Sequence, residues 1–350
     1  MRTTERRGAA LRATERIAWL DVAKGLSIVL VAMFHAHLTA YELGFRPLYT
    51  GPFNVALQPI RMPLFFAISG ILAASSLGRT WPELLSRKVW VFVYIFALWG
   101  LIRWVFFGQV LENVRAPEEG NDWTQLLVMW VMPSSSLWYI WALAIFYVIA
   151  KAADRYKAAA LVGAFVLACL TWGGVIPPTL TTYRVSVYLF FFLAGAYYGP
   201  QLLAWIPARP WMIGLPALAA FLVLEYVALP VLDTSLADGV LRALESVLGL
   251  AVGGAAAVLL IRVPPVRDVF ARIGQHTLSV YVTHGLIVAI LAQLLSGFAG
   301  AEPWRYLIVP VLVIVSVSGS LLLEAASKRL GLAWLYDAPR LPVAQRPVTP

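Results

Sequence analysis

Trp19-Leu20-Asp21-Val22-Ala23-Lys24-Gly25-Leu26-Ser27-Ile28-Val29-Leu30-Val31-Ala32-Met33-Phe34-His35-Ala36-His37 reads as a membrane-spanning helix that carries charge. Ionisable groups inside a bilayer are expensive and face a protein interior or a water-filled cavity. Here they are in phase. Lys24 and His35 lie 11 residues apart, which is three helical turns plus roughly 20°, and about 16 Å along the axis. Asp21, three residues before Lys24, joins the same face. His37 is rotated by about 200° from His35 and points elsewhere. One helix thus carries a charged pair near its inner end and an imidazole near its outer end.

Composition agrees with that reading. The chain has 350 residues, 61% of them hydrophobic and only 13% charged, where soluble domains run near ~25% charged. Fourteen Trp and fourteen Tyr suit interfacial aromatic belts. The net charge of +9 does not mark a nucleic-acid partner, because membrane proteins collect Lys and Arg in cytoplasmic loops. The one cysteine, Cys169, excludes an intrachain disulfide and a cysteine-based metal cluster. No motif such as HExxH is present either, so no metal is expected. A cleavable signal peptide is not expected, since the first apolar stretch holds Lys24 and lacks a small-residue cleavage site.

Apolar runs long enough to span, or nearly so, fall at about 17–40, 53–77, 88–107, 137–152, 158–176, 183–199, 211–230, 240–261, 277–297 and 305–326. The fourth is the weakest, because 124–132 is also apolar and could be an interfacial helix ending at Pro133. With the N-terminus inside, inner segments carry 19 Lys and Arg and outer segments 5. This alternation supports an all-α integral membrane bundle of about ten helices with both termini cytoplasmic. The expected organisation is a cytoplasmic tail at 1–16, a membrane domain at 17–326 and a cytoplasmic tail at 327–350 that ends Pro-rich and is expected to be disordered. The largest outer loop, about 108–136, is acidic and polar. No internal repeat supports a transporter built on inverted repeats.

Depth sorts the polar residues into two layers. Asp21 and Lys24 lie near the inner surface, with Ser279, Tyr281 and His284 at similar depth. His35, Arg61, Arg103 and Glu225 lie near the outer side, with Arg184 at the outer mouth of the sixth span. Asn54, Gln58 and Arg61 form a polar stripe at i, i+4, i+7. His35 is the leading catalytic candidate, as imidazole is the usual general base near neutral pH. Arg61 could hold an oxyanion, a carboxylate or a phosphate, or form a buried ion pair with Glu225. Lys24 could bind an anion or neutralise Asp21. Ser69-Gly70 suits close helix packing better than nucleophilic attack, since no GxSxG elbow surrounds it. His284 could help bind a donor or brace Tyr281.

Three segments resemble the membrane acyltransferase-3 family: Leu20-Asp21-Val22-Ala23-Lys24-Gly25 through His35; Met62-Pro63-Leu64-Phe65-Phe66-Ala67-Ile68-Ser69-Gly70; and Ile273-Gly274 through Ser279-Val280-Tyr281 to His284. Leu137-Trp138-Tyr139-Ile140, and Arg184 leading into Phe190-Phe191-Phe192-Leu193-Ala194-Gly195, are also similar to it. The resemblance implies a bacterial multi-pass protein of the plasma (inner) membrane. It implies transfer of an acyl group, most simply acetyl from cytoplasmic acetyl-CoA, to a hydroxyl of a glycan or lipid-linked sugar at the outer side. In that scheme His35 deprotonates the acceptor or briefly carries the acyl group, and Arg61 stabilises oxyanion charge. Asp21, Lys24, Ser69, Arg184 and His284 then hold donor or substrate. The family's first helix has Arg, ten residues, then His. Here Lys24 keeps the spacing and the charge but loses the bidentate fork, as in the branch resembling fucose 4-O-acetylases. The competing reading is a transporter or flippase for an anionic lipid-linked sugar, its path lined by the same charges.

Overall fold

The computed structural model describes residues 2–48, 50–133, 135–177, 179–231 and 235–341. Every regular element among them is a helix. In chain order these are α1 (Ala18–Glu42, continuing a helix that starts at Arg2), α2 (Gly51–Leu77), α3 (Trp81–Gln109), α4 (Trp138–Ala152), α5 (Asp154–Trp172), α6 (Tyr183–Ala208), α7 (Pro210–Val231), α8 (Leu236–Leu260), α9 (Pro264–Gln275), α10 (Thr277–Phe298) and α11 (Trp304–Arg329). Among the described residues, nine of these helices are long and apolar enough to cross a membrane. The fourth expected span, α4, has 15 residues, a rise of about 22 Å against a hydrocarbon core of about 30 Å. The apolar run before it is a single helical turn, Gln125–Val128, with Trp123, Leu127 and Val131 exposed beside it. α9 is amphipathic and lies between two spans.

α2 is the most buried span, packed against α1, α6 and α8. Small residues set these distances, as expected where the lipid is as apolar as the side chains and close packing must drive association. A methyl group at Gly70 would overlap the Phe192 carbonyl, and one at Gly195 would overlap the Ala67 carbonyl. The two backbones therefore touch, and neither glycine can be replaced without parting α2 from α6. Gly25 and Gly274 meet the backbones of Phe270 and Asp21 in the same reciprocal way, clamping α9 to the first turns of α1. α2 itself is interrupted at Leu57, because Pro59, which lacks an N–H, opens a new helical stretch from Gln58. The expected stripe of Asn54, Gln58 and Arg61 is broken there.

The segment after α11 corrects the expectation of a disordered tail. Its residues up to Leu341 fold back along α3: the indoles of Trp99 and Trp90 donate to the carbonyls of Leu335 (2.7 Å) and Pro339 (2.9 Å), and the Tyr94 hydroxyl donates to Trp334. Tyr336 is buried against Trp99. The remainder of the expected tail, 342–350, lies outside the described residues.

The loop-charge argument for both termini inside is tested by labelling. In a Cys169→Ala background, Glu118→Cys in the exposed α3–α4 loop should react with an impermeant thiol reagent on intact cells. Tyr156→Cys, at a position 64% exposed in the first turn of α5, should react only after lysis. The reverse pattern would overturn the orientation.

Candidate active site

His35 on α1 opens into a cavity of about 390 Å³ built by α1, α2, α3, α6, α10 and the α3–α4 loop. Four guanidinium groups line it, those of Arg61, Arg103, Arg115 and Arg184, against two carboxylates, Glu112 and Glu119. Only Arg103 is in an ion pair among the described residues. It donates to both Glu119 oxygens at 2.9 and 3.0 Å, and Asn113 adds a third donor to the same carboxylate at 2.6 Å. Arg61, 3% exposed, has no carboxylate partner among the described residues. It lies over the Phe34 ring at 4.5 Å and reaches the Leu30 carbonyl at 3.4 Å. Arg184 donates to the Pro133 carbonyl and stacks over Trp138 at 5.0 Å. The expected pair of Arg61 with Glu225 does not form: Glu225 faces Glu245 in a separate space. The cavity therefore carries excess positive charge, the field that an anion or a developing oxyanion requires.

The histidines can be assigned by elimination. Arg115 Nη1 lies 3.3 Å from His35 Nδ1. Arginine has no acceptor, so the Nδ1 lone pair accepts from Arg115 and the neutral ring carries its proton on Nε2. His284, fully buried, has Nδ1 2.9 Å from the Val280 carbonyl. That nitrogen must be the protonated one, which leaves His284 Nε2 as an acceptor without a partner among the described residues. The two rings are 5.2 Å apart. His284 thus lies beside His35, not in an inner layer. His37 stacks on Tyr41 and lies against Gly51, outside the cavity.

The other expected residues are not brought to this cavity. Lys24 Nζ holds Asp21 Oδ1 at 2.7 Å, and Gln275 donates to the other Asp21 oxygen at 3.3 Å. This cluster sits against α9. The face of α1 between Lys24 and His35 is filled by Ile28 and Ala32, both fully buried. Ser69 donates to the Phe65 carbonyl (2.8 Å), so the short contact with Tyr139 (2.5 Å) has the tyrosine donating. The Tyr139 N–H donates to the Tyr281 hydroxyl at 3.1 Å, and that hydroxyl donates to the Ser136 carbonyl. Ser69 therefore acts through a chain that fixes Tyr281 in the cavity wall.

Three contributors lie outside the expected set: Arg103, Arg115 and Glu119. Arg103 is legible as a buried cation. Arg115 and Glu119 belong to a loop with no periodicity, and only the loop's return onto α3 brings them in. That return is pinned where Gly120 (φ +101°) presses on Gly108, a backbone conformation and a contact distance that a Cβ would spoil. Thr124 donates its N–H (2.8 Å) and hydroxyl (2.6 Å) to Asp122, holding that carboxyl below its usual range, and the Trp104 indole donates to the Asp122 carbonyl at 3.2 Å.

Residues 17–325 match the acyltransferase domain that defines the acyltransferase-3 family. The chain belongs to that family. Among curated proteins this acyltransferase-3 chain is similar to the inner membrane protein YcfT of Escherichia coli (strain K12), 25% identical over 362 residues, which cover 93% of this chain and 97% of that one. No solved structure matches it.

The loop's grip on α3 has a measurable energy. Glu119→Gln leaves Arg103 buried without its counter-charge, and breaking such a pair costs about 3–5 kcal/mol. The variant should lower the midpoint of thermal unfolding in nanodiscs, and Arg103→Met combined with Glu119→Gln should recover most of that loss. A single variant as stable as the parent would show that the pair does not hold the loop.

Proposed function

We propose that this protein is a membrane O-acyltransferase that moves an acetyl group from cytoplasmic acetyl-CoA to a hydroxyl of a glycan or lipid-linked sugar at the outer face of a bacterial inner membrane. The observation that carries the reading is the lone pair of His35 Nδ1, held in a cavity where three guanidinium groups lack a carboxylate partner among the described residues. His35 Nδ1 takes the proton of the acceptor hydroxyl as its oxygen attacks the thioester carbonyl. A C–O bond forms, and negative charge develops on the carbonyl oxygen, where Arg61 and Arg184 stabilise it. Collapse breaks the C–S bond, and the departing thiolate takes the proton back from His35. During the proton's stay His35 is an imidazolium, and the His284 ring lies beside it, 5.2 Å between ring centroids.

Arg115 occupies the basic nitrogen and leaves it when the acceptor hydroxyl arrives. The donor has to part α1 from α2, since Ile28 and Ala32 fill the direct line from the inner end. Lys24, engaged by Asp21, serves the donor's phosphates only if that pair opens. Acetyl as the acyl unit follows from the resemblance to the fucose 4-O-acetylase-like branch.

Loss of a general base lowers rate by about 10²–10⁴-fold. His35→Ala should insert and fold normally yet lose acyl transfer by that order, measured as label moved from acetyl-CoA to endogenous glycan in membrane vesicles. His37→Ala should lose little, and His284→Ala should fall between the two. Near-normal turnover in His35→Ala, or a greater loss in His37→Ala, would contradict the mechanism.

A further inference from the structure

A second chamber of about 250 Å³ lies beside the first, between α2, α5, α6, α7 and α8. Gln58, Tyr183 and Tyr188 line both chambers and so form the wall between them. The wall is thin: Gln58 Nε2 and the Tyr183 hydroxyl meet only at 3.5 Å. Glu245 lines the second chamber. It is 2% exposed, and its Oε1 has no hydrogen-bond partner among the described residues. A buried acceptor left unmade inside a span is a strong demand for a ligand, since it forfeits its solvation and gains nothing in return.

The chain makes a local effort to bring a second carboxyl there. α7 faces outward over most of this stretch, with Leu222, Val223, Tyr226 and Val227 exposed. One π turn, Leu224–Ala228, brings Glu225 into the chamber wall. Such turns are rare and concentrate at functional sites. Glu225 and Glu245 thus line the same chamber. Arg242 does not pair with them, being held by Asp238 at 3.0 Å. The chamber thus offers the acceptor lone pairs of two carboxyl groups, beside the ring of Trp172, whose indole N–H is turned to the Tyr183 hydroxyl at 3.3 Å. A neutral ring bearing adjacent hydroxyls and one apolar face supplies donors to those lone pairs and a surface to the indole.

We propose that this chamber seats a pyranose ring of the acceptor, its adjacent hydroxyls on Glu225 and Glu245 and its apolar face on Trp172, and presents the hydroxyl to be acylated between Gln58 and Tyr183 toward His35. The inference rests on the acyl-transfer reading above and names that reaction's acceptor subsite.

The test is thiol protection on the full chain in nanodiscs, in a Cys169→Ala background. Val55→Cys, at a chamber-lining position 62% exposed, reports the mouth, and Ser246→Cys reports the interior. Each is modified with a small methanethiosulfonate in the presence of methyl α-glucopyranoside, methyl α-mannopyranoside or methyl α-galactopyranoside, with propane-1,2-diol at equal hydroxyl concentration as control. At least one glycoside should slow modification, by about tenfold when it is at ten times its Kd. Glu245→Leu, which fills the same space without a polar atom, should abolish protection while leaving the sugar-free rate near the parent's; Glu225→Gln should weaken it. His35→Ala should leave protection intact. The subsite is overturned if no pyranoside slows either cysteine more than the diol does, or if protection survives Glu245→Leu. Protection without any consumption of acetyl-CoA would sink the acyl-transfer reading and leave a sugar site. Acyl transfer without protection would do the opposite.

Discussion

Among the described residues, four guanidinium groups face one cavity and a single one of them is met by a carboxylate. The side chains around that cavity answer to that excess. Arg61 and Arg184 lie on aromatic faces and reach backbone carbonyls, interactions that keep a cation tolerable without neutralising it. A site meant only for stability would pair each charge, because an unpaired ion in a low-dielectric interior is the costlier arrangement. Leaving them unpaired keeps their field for whatever carries negative charge into the cavity.

The scaffold that holds this field is made of close backbone contacts. Gly70 against Phe192 and Gly195 against Ala67 bring α2 and α6 together, so that Arg61 on one and Arg184 on the other face the same space. The α3–α4 loop closes that space from above, fastened by Arg103–Glu119 and by the Gly108–Gly120 contact. The break in α2 at Leu57 serves both chambers. It frees the helix from one continuous register, so Gln58 stands in the dividing wall while Arg61 faces His35.

Much of this is legible in the sequence where helical periodicity governs. The phase of Lys24 and His35, the opposite phase of His37, and the burial of Arg61 and Arg103 follow from 100° per residue and the cost of charge in lipid. What is not legible depends on contacts between distant segments. Phase alone suggests that Lys24 and His35 share a cavity, but Ile28 and Ala32 on the same face are packed, and Asp21 takes the lysine. The depth of His284 on its own helix places it low, whereas the offset of α10 against α1 sets its ring beside His35. Arg115 lies in a loop and has no pattern to betray it. The stretch after Arg329 is short of helical periodicity and Pro-containing, yet Trp90, Tyr94 and Trp99 on α3 supply hydroxyl and indole donors that hold it in place.

Membership of the acyltransferase-3 family and the charged cavity around His35 converge on acyl transfer, and the alternative of a transporter shares every charge but consumes no thioester. The most direct test supplies acetyl-CoA labelled in the acetyl group to sealed inner-membrane vesicles with and without this chain. The label is followed in the CoA, lipid-linked sugar and glycan fractions. The account predicts that label leaves CoA and appears as ester-bound acetate on sugar only when the chain is present. Label that stays on CoA while an anionic lipid-linked sugar crosses the bilayer in a chain-dependent way would contradict it.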